Sequence, residues 1–222
     1  MTKKMYCTLD TETVGGCTNP TGFYHIGGFI HDREGNIYAS FNMVVANMFE
    51  EIRNDDYAKR NFHLYEEYIT TGEATVVTSQ EEAISLIDHL CDFYNVTTMM
   101  AFNSGFDFGK TKAKLLIDDR EFIDIYLMAL QTIGQKKSYI NFCRENNLLS
   151  RSKKCIASTA ESFYAYLTNN PQYCEEHTAL EDSKIEMEIF LASLRTHKKF
   201  TQNCVLYDFE DKYALFVPAE EA

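Results

Sequence analysis

Tryptophan is absent from the 222-residue sequence, and proline occurs only three times, at Pro20, Pro171 and Pro218. With so few chain breakers and no Pro/Gly/Ser-rich stretch, nothing marks a linker, and one continuous domain is expected. No run approaches the ~18 uninterrupted apolar residues of a membrane-spanning helix. The opening segment, Met1-Thr2-Lys3-Lys4-Met5-Tyr6-Cys7-Thr8-Leu9-Asp10, turns polar too soon for a secretory signal. Cysteine occurs seven times but never as Cys-x-x-Cys. That argues against structural zinc and for free thiols in a reducing compartment, so a cytoplasmic location is expected. Positive charge is scarce: 21 Lys and Arg stand against 33 Asp and Glu, a net charge of −12. Nucleic-acid binding by whole-surface charge is thereby excluded. An enzyme that acts on nucleic acid through bound cations is not, because such a site needs clustered carboxylates.

What is present describes an ordinary globular chain, 45% hydrophobic and 24% charged. Its length suits a single α/β domain with a sizeable core. Lys3 to Leu9, Tyr24 to His31 and Ile37 to Met43 read as strands. The turn Asp32-Arg33-Glu34-Gly35-Asn36 joins the last two, completing an antiparallel meander. Phe49 to Ile69 predicts one long helix or two short ones. Ser79-Gln80-Glu81-Glu82 has the capping-box pattern, followed by Ile84, Ile87, Cys91 and Tyr94 at helical spacing. Thr97 to Phe102 reads as a buried strand and Phe122 to Ile125 as extended. Gly105 to Ile117, Ser138 to Leu148, Thr159 to Leu167 and Thr178 to Lys199 read as helices. This order predicts a mixed sheet flanked by helices. The tail after Thr201 alternates weakly at Val205, Tyr207 and Phe209, as an added hairpin or arm on the same domain would.

Three stretches carry chemistry. At the end of the first strand, Asp10 and Glu12 stand two apart and therefore project from one face. Such a pair repels unless a cation lies between, and oxygen-only ligation suits magnesium or manganese. The same pair would also serve a solvated strand end that discourages edge pairing. In Ala101-Phe102-Asn103-Ser104-Gly105-Phe106-Asp107, Asn103 can cap the next helix and place Asp107 in its first turn. In His177-Thr178-Ala179-Leu180-Glu181-Asp182, Thr178 and Glu181 fit a capping box, which leaves His177 on the preceding loop. On one continuous helix His177 and Asp182 would point ~140° apart, so only a loop histidine can swing over the acid.

Together, in this order, the three stretches resemble the DEDDh 3′→5′ exonucleases, a family that includes polymerase proofreading subunits, ribonuclease T and oligoribonuclease. Asp10 and Glu12 match its Asp-x-Glu motif. Asn103, Phe106 and Asp107 match Asn-x-x-Phe/Tyr-Asp, and His177 and Asp182 match His-x-x-x-x-Asp. The resemblance covers about residues 3 to 200, with Asp124 where members often carry a supporting acid. The related Tyr-type class would place tyrosine at 178, where this chain has Thr178. Many members follow the first motif with Thr-Gly-Leu. Here Thr13 is followed by Val14-Gly15-Gly16-Cys17, which makes Val14 the candidate wedge beside the terminal base.

The resemblance implies a ribonuclease-H-like fold and a site in which Asp10, Glu12, Asp107 and Asp182 hold two Mg²⁺ or Mn²⁺ ions. It casts His177 as general base, and Thr11, Thr13, Val14, Asn103 and Phe106 as contacts to the terminal nucleotide. The implied substrate is nucleic acid with a free 3′ end, single-stranded ends preferred and DNA favoured over RNA. A polymerase or replication partner is a further implication. Two alternatives stay open: an exoribonuclease of the same family, or a non-catalytic recruitment module. The basic clusters Lys110-Lys112-Lys114, Lys136-Lys137 and Arg151-Lys153-Lys154 are candidates for phosphate contact.

Overall fold

The computed structural model describes residues 3–15, 22–56, 58–117, 119–196 and 215–219. At its centre lies a six-stranded sheet ordered β4-β3-β2-β1-β5-β6. Strand β1 (Met5–Val14) runs antiparallel to β2 (Gly22–Asp32), and β2 antiparallel to β3 (Ile37–Val45). The remaining strands are parallel to their inner neighbours: β4 (Thr75–Val77) to β3, β5 (Val96–Ala101) to β1, and β6 (Glu121–Asp124) to β5. The expected hairpin closes where Asp32 Oδ1 accepts from the backbone N–H of Glu34 (2.9 Å) and Asn36 (3.0 Å). The α/β class expected from the sequence, a mixed sheet flanked by helices, is found.

Two apolar layers cover the sheet. Met5, Cys7 and Leu9 of β1 join the layer containing α1 (Phe49–Asn54), α2 (Phe62–Thr71) and α3 (Gln80–Phe93). Tyr6 joins the other, built from α5 (Ile125–Thr132), α6 (Lys137–Glu145), α7 (Ala160–Thr168) and α8 (Ala179–Leu194). Strand period two therefore sends Asp10 and Glu12 toward α8 and Thr11 away from it. Glycine matters most at Gly27, where a Cβ would lie 2.4 Å from the Leu180 backbone nitrogen. The first turn of α8 thus rests directly on β2. Gly27→Ala should cost roughly 1–3 kcal/mol or more by overpacking, which a melting curve in chelator would read.

Over 49–69 the two-helix alternative is found, α1 and α2 joined through a 3-10 turn at Ala58–Asn61. Several other local expectations are corrected. Strand β4, too short to leave a pattern, follows α2. The helix expected over 105–117 is only α4 (Asp107–Lys110), continued by a 3-10 stretch at Lys112–Ile117. Asn103 does not cap it: Asn103 is left-handed at φ 62°, and α4 begins after Phe106 with no side-chain cap bond. Phe122 to Ile125 is extended only as far as Asp124. That residue caps the unanticipated α5 by accepting from Tyr126 N (3.0 Å) and Leu127 N (3.4 Å). Ser79 caps α3 as expected, accepting from Glu82 N at 3.3 Å. Thr178 precedes α8 but contributes no side-chain cap bond. Val205, Tyr207 and Phe209 fall outside the described residues. Of the tail, Val217 O accepts from Ile156 N at 2.8 Å, and Pro218 bridges Cys155. Among the described residues, no helix is long and apolar enough to cross a membrane.

Candidate active site

Strand β1 keeps its β2 partner to Val14, but its pairing with β5 stops at Thr8 opposite Met100. Past Ala101 the chain turns away through left-handed Asn103. The carboxyl ends of β1 and β5 splay where the strand order reverses, a position at which open α/β sheets hold ligands. A cleft of about 400 Å³ opens there. Asp10, Thr11, Glu12 and Thr13 line one wall, Asn103, Phe106 and Asp107 another, and Asp182 closes it from α8.

Of the expected metal ligands, Asp10, Glu12 and Asp182 converge most tightly, with one carboxylate oxygen from each within 4.8 Å of the others. Asp107 stands beside them, outside that 4.8 Å set. It is 1% exposed, and its Oδ1 accepts a 2.6 Å hydrogen bond from Thr11 Oγ1, on the reverse side of β1. His177 lies exposed on the loop before α8 at φ 57°. A ring nitrogen of it comes within 4.8 Å of carboxylate oxygens from Asp182 and Glu175. The loop placement read from the sequence therefore does bring imidazole and acid together. Val14 goes elsewhere. It is 7% exposed in the apolar layer, because the register shift after Glu12 turns the strand inward and takes Val14 out of the cleft wall.

Electrostatics mark the cluster as built for positive charge. Burial raises the Asp10 carboxyl to about 7. Burial and then the Asp10 charge raise Asp182 to about 9, and the same two causes hold Asp107 well above the carboxylate range. Asp182 Oδ1 is buried without a hydrogen-bond partner. An orphaned oxygen among converging acids, with hard oxygen donors only, fits a divalent cation of the magnesium or manganese kind. Two further acids escaped the sequence reading. Glu186, 4% exposed and one turn past Asp182, accepts from Phe102 N at 3.1 Å and is raised by burial, then by Asp10 and Asp107. Glu175 is raised to about 7 by burial, then by Glu161 and Asp10. The Asp182-x-x-x-Glu186 spacing was the available signal for Glu186. Glu175 had none beyond its nearness to His177.

These raised values set a pH signature for the cation-free protein. Its folded state holds protons that the unfolded chain has lost, so stability falls as pH rises from the ordinary aspartate value near 3.8 toward about 9. Melting in EDTA should drop across that window. Added Mn²⁺ should raise the melting temperature more at pH 8 than at pH 5. Asp10→Asn should melt in EDTA at or above wild type at pH 8, since it removes one repelling charge. A clear drop would assign Asp10 a structural role.

Among the basic clusters, Lys110 lines the cleft with its Nζ 5.8 Å from the Phe106 ring centroid. Lys112 is instead paired with Glu81. Arg151, Lys153 and Lys154 sit exposed on the loop between Leu149 and Ile156, which bridge one another. A larger hollow of about 790 Å³ at the opposite ends of the strands has its cations committed. There Arg120 pairs with Asp88 and Asp92, and Lys4 with Glu121.

No protein-family model and no curated protein matches the chain. Among solved structures, it is similar to E. coli exonuclease I in complex with a dA16 oligonucleotide, at 14% identity and a TM-score of 0.43. The overlap is 89% of this chain but only 44% of that one. It is also similar to cell-death related nuclease 4 (CRN-4), at 11% identity and a TM-score of 0.44, over 98% of this chain and 80% of that one. Likeness at this distance leaves the chemistry to the residues of the cleft itself.

Proposed function

We propose that the protein is a metal-dependent 3′→5′ exonuclease. It hydrolyses the terminal phosphodiester bond at a free 3′ end, with single-stranded DNA its first substrate, and releases nucleoside 5′-monophosphates. The observation that carries this reading is the convergence of Asp10, Glu12 and Asp182 within 4.8 Å in a cleft, with a loop imidazole at the same distance from Asp182.

Asp10, Glu12 and Asp182, with Asp107 beside them, would hold Mg²⁺ or Mn²⁺ ions, two by the family resemblance. When bound, such cations stabilise charge on the departing 3′ oxygen and favour ionisation of the attacking water. His177 takes that water's proton on a ring nitrogen, which its loop brings within 4.8 Å of an Asp182 oxygen. Thr11 holds the Asp107 carboxylate in place. Backbone from Thr11 to Thr13 meets the terminal 3′-hydroxyl, while Asn103 and Phe106 flank the last nucleoside. Lys110, beside Phe106, offsets the charge of the adjoining phosphate. A duplex must fray before its end enters a cleft of this size.

The test uses matched 3′-labelled single-stranded DNA, duplex DNA and RNA, with Mg²⁺ or Mn²⁺ against EDTA. Cation-dependent shortening of single-stranded DNA from the 3′ end is expected. No shortening of any substrate would overturn the proposal, and faster loss of RNA would reassign the substrate.

A further inference from the structure

We infer that His25, on β2, is a positioning residue of this site: it caps α8 at the first N–H of the helix and thereby sets where Asp182 and His177 stand. The inference deepens the metal-dependent reading above and rests on it.

The Ala179 N–H, first in α8, donates to His25 Nδ1 at 3.3 Å. Both residues are 0% exposed, and Thr178 makes no side-chain cap bond, so without the imidazole that N–H would be buried and unpaired. A backbone N–H can only donate, so Nδ1 must present its lone pair and Nε2 must carry the proton. Nε2 meets Asn42 Oδ1 at 2.5 Å, and Asn42 Nδ2 donates to Glu73 O at 3.0 Å, which orients the amide to accept from the ring. Burial lowers the His25 pKa to about 4 and keeps the ring neutral.

The cap bears on the acids because Asp182 N donates to Thr178 O at 2.9 Å, the first full turn of α8. If Ala179 loses its acceptor, that turn frays with Asp182 on it and His177 just before it. Helix α2 supports the arrangement. Tyr65 packs its ring edge-on to His25 at 4.9 Å, and Tyr68 OH reaches Thr178 Oγ1 at 3.4 Å. Helix α2 thus backs the capping histidine, and Glu73, just beyond it, anchors Asn42.

The test is calorimetric titration of the full chain with Mn²⁺ alone, with melting in EDTA to confirm folding. His25→Asn keeps a side-chain acceptor near the Nδ1 position, whereas His25→Gln offers its polar end where Nε2 stood. His25→Ala and His25→Gln should weaken Mn²⁺ binding ~10–100-fold, the usual cost of losing a residue that orients a ligand. His25→Asn should recover most of that loss. The inference is overturned if His25→Ala binds like wild type, or if the Asn variant is no better than the Gln variant. Should the His25 variants fail to fold, half-buried Asn42→Ala decides: weaker Mn²⁺ binding is expected, and unchanged binding overturns the relay. If wild type itself binds no Mn²⁺, the metal reading fails first, a result distinct from equal binding by all variants.

Discussion

Asp182→Ala should lower hydrolysis ~10³-fold or more, because it removes several kcal/mol of cation-borne stabilisation at ~1.4 kcal/mol per tenfold. Asp182 has the largest expected effect of the acids. It belongs to both clusters of potential ligands, with Asp10 and Glu12 on one side and Glu175 and His177 on the other. Its buried Oδ1 has no partner of its own, so the substitution breaks no hydrogen bond made by that atom. Stability in EDTA should therefore hold or rise while activity collapses. Initial rates on labelled single-stranded DNA, read beside a melting curve in EDTA, check both halves. Retention of activity within a few fold would remove Asp182 from the metal site.

His177→Ala should lower turnover by ~10²–10⁴-fold, the usual contribution of a positioned general base. Mn²⁺ affinity should change little, because the carboxylates carry the ligation. His177 is exposed and outside both apolar layers, so melting should be nearly unaffected. Initial rates of the two proteins at saturating Mn²⁺, read beside their melting curves, measure this. A variant that melts much lower yet keeps its rate would make His177 a structural residue.

The two predictions draw on different kinds of information. That Asp10 and Glu12 share a face follows from period-two geometry on a strand, and that His177 stands on a loop follows from the start of α8 two residues later. Both are local consequences of local sequence, and both were legible. So were the β2–β3 hairpin and the Ser79 cap, where a turn or cap residue satisfies backbone groups only a few positions away. Misreadings gathered where the deciding contact is distant. Asn103 has the chemistry of a cap, but β5 must turn sharply out of the sheet there, and an asparagine tolerates the left-handed backbone that the turn requires. Thr178 and Glu181 have the letters of a capping box, yet Thr178 makes no cap bond and His25 from β2 accepts from the first N–H of α8.

The sequence by itself determined in what order the candidate acids and histidine occur and on which face of β1 the first two stand, because strand and helix periods act over a few residues. Only the tertiary structure decided that Thr11 donates to one oxygen of Asp107 from the reverse side of β1. It alone brought Glu175 and Glu186 to the same acids, sank Val14 into the core and put an imidazole at the head of α8. Each of these depends on two segments far apart in the chain meeting across the sheet. Such a meeting is set by how two apolar layers pack on β1 and β2, and by a glycine at 27 that lets α8 touch the strand, not by the propensity of any single stretch.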